Sequence, residues 1–165
     1  MDTTQSSAIL YGLMGAGSAL ILSTIGAAYG SAKANVTLSS SSAPEWTPLS
    51  GQTSKSRLSS VVAFIPIIIA GVLAIYGLIY SVIVLASVTA PDYSASRGYA
   101  HFIGGVTLGF CCLASGIAVG IVGKHGLRSI SENKTSVVKV ILNLIYCEAL
   151  GLYGLIFGLI AVSSF

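Results

Sequence analysis

The sequence predicts an all-α membrane protein of four transmembrane helices, arranged as two helical hairpins of the same orientation. Three observations predict it. Hydrophobic residues make up 54% of the 165 positions and charged residues only 8%, with a mean hydropathy of +0.89, which is membrane composition. Four apolar stretches, each long enough to cross a bilayer, run at about Ala8–Lys33, Leu58–Val88, Gly98–Lys124 and Val137–Ser163. The halves also repeat: Gly26-Ala27-Ala28-Tyr29-Gly30 matches Gly116-Ile117-Ala118-Val119-Gly120, and Ile75-Tyr76-Gly77-Leu78-Ile79 matches Leu152-Tyr153-Gly154-Leu155-Ile156.

The first span follows MDTTQSSA, which has no basic residue ahead of the apolar run. It does not have the form of a cleaved secretory signal, so the span is expected to be retained. A polar, serine-rich run follows, with Ser39–Ser42, Pro44, Trp46, Pro48 and Gly51. It reads as a loop over 34–57, flexible from about Val36 to Ser56. The second span contains Pro66. A short link near Pro91 leads to the third, and a second polar connection over 125–136 leads to the fourth. The domain reading is therefore 1–88 for one hairpin and 89–165 for the other. No polar stripe recurs at helical spacing, so hydrocarbon rather than water should surround the spans. Backbone in lipid must satisfy its own hydrogen bonds, so each span should be helical.

Orientation follows from Lys and Arg. Lys33, Lys55 and Arg57 flank the first connection, and Lys124, Arg128, Lys134 and Lys139 flank the third. Only Arg97 lies near the second, and the tails hold none. The positive-inside rule places loops 34–57 and 125–136 in the cytoplasm and both termini on the lumenal side. Two glycosylation patterns, Asn35-Val36-Thr37 and Asn133-Lys134-Thr135, then face the cytoplasm and should be silent.

The chemistry concentrates in Ile141–Ile160. This run is apolar except for Asn143, the hydroxyls of Tyr146 and Tyr153, and one acid, Glu148. Lys139 lies nine residues earlier, so at 1.5 Å per residue the acid is roughly 13 Å into the membrane. A charge there costs about 2.5–3.5 kcal/mol on insertion scales. The acid is therefore expected to rest neutral. An acid that rests neutral at mid-membrane, and releases its proton to a suitable partner, is a candidate proton carrier. The plainer reading is a carboxyl that fixes helix packing. In the repeat register Gly71 occupies the place of Glu148, so one hairpin carries an acid and its twin does not.

Spans one and three are rich in small residues. Gly12, Gly15, Gly17, Ala19, Gly26, Ala27 and Gly30 recur in the first, and Gly104, Gly105, Gly109, Ala114, Gly116, Ala118, Gly120 and Gly123 in the third. Small residues let helix backbones approach closely in lipid. Spans two and four carry bulkier Ile, Leu and Tyr, suited to an outer layer. Cys111, Cys112 and Cys147 lie inside spans and fit neither a disulfide framework nor a metal site. No metal or cofactor is expected, and a net charge of +3 with no block of like charge longer than two residues does not suggest nucleic acid.

Ordered blocks of the chain resemble the c-type proteolipid of the eukaryotic vacuolar-type proton ATPase. They are Ile25-Gly26-Ala27-Ala28-Tyr29-Gly30-Ser31-Ala32-Lys33; Ile65-Pro66, Ala70-Gly71 and Ala74-Ile75-Tyr76-Gly77-Leu78; Gly120-Ile121-Val122-Gly123 with Gly126-Leu127-Arg128; and Glu148-Ala149-Leu150-Gly151-Leu152-Tyr153-Gly154-Leu155-Ile156. The resemblance implies a ring of copies in the V0 membrane sector of a vacuolar or other endomembrane. It implies that Glu148 takes a proton from a half-channel of the large a-type partner and releases it opposite that partner's arginine. The ring would turn under ATP hydrolysis performed by other subunits and would meet a d-type stalk protein on its cytoplasmic face. Tyr76 is similar to the family tyrosine that hydrogen-bonds the acid. Gly151, one turn after Glu148, would leave space beside it. Sodium-carrying relatives surround the acid with extra oxygens. Here Ile67-Ile68-Ile69-Ala70 precede Gly71, so protons are the expected cargo. Departures from the family pattern fall in the connections: a long serine-rich first loop, Lys124-His125, and Ser129–Lys139. The competing functions are a small secondary transporter or channel, which would show broken helices and polar groups at mid-membrane, and a tetraspan scaffold, which would not need Glu148.

Overall fold

A computed structural model describes residues 3–41, 53–89, 93–131 and 136–164. They form four helices: α1 (Thr3–Ser41), α2 (Thr53–Val88), α3 (Ala95–Ser131) and α4 (Val137–Ser163). All four contain a stretch long and apolar enough to cross a membrane. Helix α4 has the extent expected from sequence. The others run past their apolar stretches. Residues 34–41 and 53–57 are helical, as are 125–131, so the connections are shorter than the 34–57 and 125–136 expected. Hydropathy marks where lipid ends, whereas a helix ends at a breaker, and neither Pro nor Gly occurs between Ser31 and Pro44. Trp46, Pro48, Gly51, Pro91 and the Asn133-Lys134-Thr135 pattern lie outside the described residues.

Helices α1 and α3 form the closest pair. Helix α1 also packs on α2 and α3 on α4, α2 touches α3 and α4 more lightly, and α1 and α4 do not meet among the described residues. The glycines explain the closeness of α1 and α3. Gly15 faces the backbone of His101 and Phe102, and Gly26 faces that of Cys112 and Leu113. A Cβ on Gly26 would lie 2.7 Å from the Cys112 carbonyl oxygen. Gly105 and Gly116 return the contact against the backbones of Gly15 and Gly26. Gly15 and Gly26 are about three helical turns apart, as are Gly105 and Gly116, so each pair shares one face. Matched order along both helices makes α1 and α3 parallel.

Pro66 does not break α2. It is buried against Gly123, where a Cβ would come within 2.9 Å of the proline Cβ. Neighbouring helices support such prolines in membranes. Two core clusters stack along the bundle. One contains Tyr80, Val84, Leu108, Cys112 and Leu155; the other Ala70, Val119, Val140 and Leu144.

The two ends differ. At one, the Tyr11 and Tyr99 rings pack at a tilt with centres 4.8 Å apart, and the Tyr93 hydroxyl meets His101 Nδ1 at 2.8 Å. Burial pushes the Tyr93 phenol up, against a smaller opposing pull from Arg97, so it keeps its proton at neutral pH. Such an aromatic cluster suits a membrane–water interface. At the other end, Lys33 Nζ lies 5.5 Å from the centre of the Tyr29 ring, and Lys124 and Lys139 are exposed.

Gly26→Ala should lower the melting temperature of the purified protein in detergent, because the added methyl meets backbone and overpacking costs about 1–3 kcal/mol. Gly17→Ala should not lower it, since nothing lies within 4 Å of that position and alanine is the better helix former. Equal melting temperatures for the two variants would count against the tight α1–α3 seam.

Candidate functional site: a carboxyl on the α2–α4 seam

Helix α4 opens at Ser136, in extended conformation, and closes at Ser164, whose backbone N–H donates to the Ile160 carbonyl. Between these polar ends the helix turns an exposed apolar face outward, with Val138, Leu142, Ile145, Tyr146, Tyr153, Phe157 and Ile160. Tyr146 is 77% exposed and Tyr153 63%. Glu148 sits beside this face and is half-buried. The Tyr76 hydroxyl, from α2, donates a hydrogen bond to its Oε1 at 3.2 Å. The carboxyl thus lies on the outward seam between α2 and α4. It also lies at the junction of the two core clusters, since Tyr76 packs against one and Cys147 against the other.

The depth of the carboxyl can be read from three helices. Lys139 lies nine residues from it on α4, roughly 13 Å. Ser115 on α3 bonds to the residue before it, and Lys124 lies nine residues past Ser115, again roughly 13 Å. Gly26 on α1 faces Cys112 and Leu113, and Lys33 follows it by about 10 Å. Three lysines on three helices therefore mark one membrane edge. A hydrocarbon layer of about 30 Å then holds the carboxyl in its central third.

Of the three residues singled out from sequence, Glu148 and Tyr76 meet at this seam, while Gly151 is buried against α2 and α3. The space at Gly151 is not left open beside the acid. A Cβ there would lie 2.6 Å from Leu73 Cδ2 and 3.5 Å from Ser115 Oγ. The missing side chain lets α2 and α3 close on α4. Gly71, the repeat counterpart of Glu148, is exposed, with nothing within 4 Å of where its Cβ would be. Asn143 is exposed. No three His, Cys, Asp or Glu side chains gather among the described residues.

One polar contact escaped the sequence reading. Ser115 is fully buried, and its hydroxyl donates to the Cys147 carbonyl at 2.6 Å. The signal available was a serine next to Gly116, on the helix face where backbones come close. Two other buried hydroxyls bond across helices in the same way: Ser81 to the Ala16 carbonyl and Tyr80 to the His101 carbonyl.

Known proteins are similar to this chain in sequence. Residues 102–161 match the family model for the C subunit of ATP synthase. The chain is 41% identical over 163 residues to a V-type proton ATPase proteolipid subunit of Dictyostelium discoideum, covering 98% of this chain and 78% of that protein. It is 40% identical over 156 residues to the 16 kDa c-type proteolipid of the Ascaris suum V-type proton ATPase, covering 93% and 90%. The c′-type member of the V-type proton ATPase of Eremothecium gossypii is 36% identical over 151 residues, covering 91% and 85%. With identity at this level along nearly the whole length, the chain belongs to the family of V-type proton ATPase c-type proteolipids.

Proposed function

We propose that this chain is a rotor-ring component of a proton-translocating V-type ATPase and that Glu148 is its proton-carrying group. The observation that carries the proposal is a single mid-membrane carboxyl on the outward α2–α4 seam, hydrogen-bonded to the Tyr76 phenol. A neutral carboxyl can face lipid at tolerable cost, whereas a carboxylate there needs a partner cation. Movement of the seam from lipid to a cation thus couples position to protonation. In the ring, glycine-rich α1 and α3 form the inner layer and α2 with α4 the outer one. The exposed apolar flanks of each copy, including Leu10, Met14 and Ile21 of α1, pack against the next. The cation is an arginine of the a-type partner, whose half-channels deliver and remove the proton. A d-type stalk protein meets the cytoplasmic end. ATP is hydrolysed elsewhere in the complex, and this chain carries the ion. The membrane is vacuolar or another endomembrane, with the lysine-bearing end cytoplasmic and the termini lumenal.

The transporter reading loses support because α2 runs unbroken through Pro66, whereas midplane transport sites favour discontinuous helices. The scaffold reading gives the carboxyl no task.

Glu148→Gln keeps size and polarity but cannot exchange a proton. Proton pumping by membrane vesicles carrying this variant should fall to background while the ring still assembles. Pumping retained by an assembled ring would overturn the carrier role. Orientation has its own test. Expressed in a glycosylating membrane, the chain should acquire no sugar at Asn35 or Asn133. A mobility shift reversed by an endoglycosidase would invert the topology.

A further inference from the structure

We infer that Ser115 is a positioning residue for the Glu148 carboxyl, an inference that rests on the carrier role proposed above. The Cys147 carbonyl belongs to the same planar peptide unit as the Glu148 nitrogen. A hydrogen bond of 2.6 Å to that oxygen therefore fixes the plane from which the Glu148 Cα projects. In a helix this carbonyl already accepts from the N–H four residues on, that of Gly151, so Ser115 takes its second lone pair. Gly151 is also the residue against which Leu73 and Ser115 close. One helical turn, Cys147 to Gly151, is thus held from α3 by a hydroxyl and from α2 by an apolar side chain.

The need for such a hold lies in the next bond out. The Tyr76–Glu148 separation of 3.2 Å is already beyond the usual 2.5–3.0 Å for hydroxyl donors. A small rotation or slide of α4 would break it. Tyr76 stands on α2, which touches α4 only lightly, so the α2–α4 seam cannot set this distance by itself. The firmer α3–α4 contact can, and Ser115 is its polar tie at the level of the acid. Ser115 is fully buried and 32 residues from Cys147 in sequence, so the tie also fixes the height of α4 against α3.

The test uses intact membrane complexes carrying Ser115→Ala or Ser115→Cys. The readout is the rate at which a hydrophobic carbodiimide modifies Glu148, followed by mass spectrometry at one fixed pH. The reagent must reach the carboxyl, and the Tyr76 phenol stands against its Oε1. With the tie lost and the Tyr76 bond loosened, labelling should speed up about fivefold, the factor that loss of a hydrogen bond of ~1 kcal/mol represents. Cysteine fills the site at least as fully as serine but is a weak donor. Both variants should therefore raise the rate. If Ser115→Ala fails to assemble, Ser115→Cys carries the test alone. Rates that coincide with the parent, or a rise in Ser115→Ala but not Ser115→Cys, would overturn the inference, the latter by assigning Ser115 to packing. A parent ring that pumps protons with Glu148 never labelled would instead strike at the carrier role.

Discussion

Hydrocarbon supplies no hydrogen bonds, and each polar group buried in this bundle is placed against that fact. Several serine and threonine hydroxyls of α1 and α3 turn back onto carbonyls of their own helices, as in Ser18 to Gly15, Ser31 to Ala27 and Thr107 to Ile103. A few reach across instead, and those few tie helices together: Ser81 holds α2 to α1, Tyr80 holds α2 to α3, and Ser115 holds α3 to α4. Glu148 is the costliest group of all to place in lipid. It sits where a phenol can reach it, beside the outward face of α4.

Packing supplies what the hydrophobic effect cannot supply inside a membrane. Lipid tails are as apolar as leucine, so helices associate through close contact and polar ties. The α1–α3 pair uses backbone-to-backbone contact at Gly15, Gly26, Gly105 and Gly116. The α2–α4 pair meets lightly and leaves bulky side chains outward. A tight α1–α3 pair and a lighter α2–α4 seam accord with residue size, and on the proposed reading the first is the inner layer of the ring. On the proposed reading, that division suits a rotor, because the inner layer keeps its shape while the seam carrying the acid changes its surroundings.

Much of this is legible in the sequence, for physical reasons that also explain what is not. Glu148 stands out because an acid in a twenty-residue apolar run is expensive and nothing nearby in sequence neutralises it. The bounds of α4 are legible because its lipid-facing length and its helical length coincide. For α1, α2 and α3 they do not coincide, since helix continues into the polar regions beyond the apolar run, and hydropathy is silent there. Tyr76 is reachable through resemblance. Ser115 is not, because a serine in a small-residue helix reads as packing until the partner carbonyl from another helix is placed beside it. The Tyr93–His101 pair at the aromatic end hides for the same reason.

The internal repeat sharpens the meaning of the seam. Tyr76 and Tyr153 are repeat counterparts, as are Gly71 and Glu148. The pairing of Tyr76 with Glu148 occurs within one chain, whereas its counterpart would pair Tyr153 with Gly71, and both of those are exposed. A glycine offers no proton site, so every second seam in a closed ring of such chains would be inert. With the carrier role as proposed, each copy then moves one proton through the angle that two hairpins occupy. The work available from a turn is divided among half as many ions as there are hairpins, so each can be driven against a steeper gradient. On the proposed reading, the absence of a carboxyethyl side chain at position 71 thus sets the ratio between rotation and transport, and within the chain the space where that side chain would start is open.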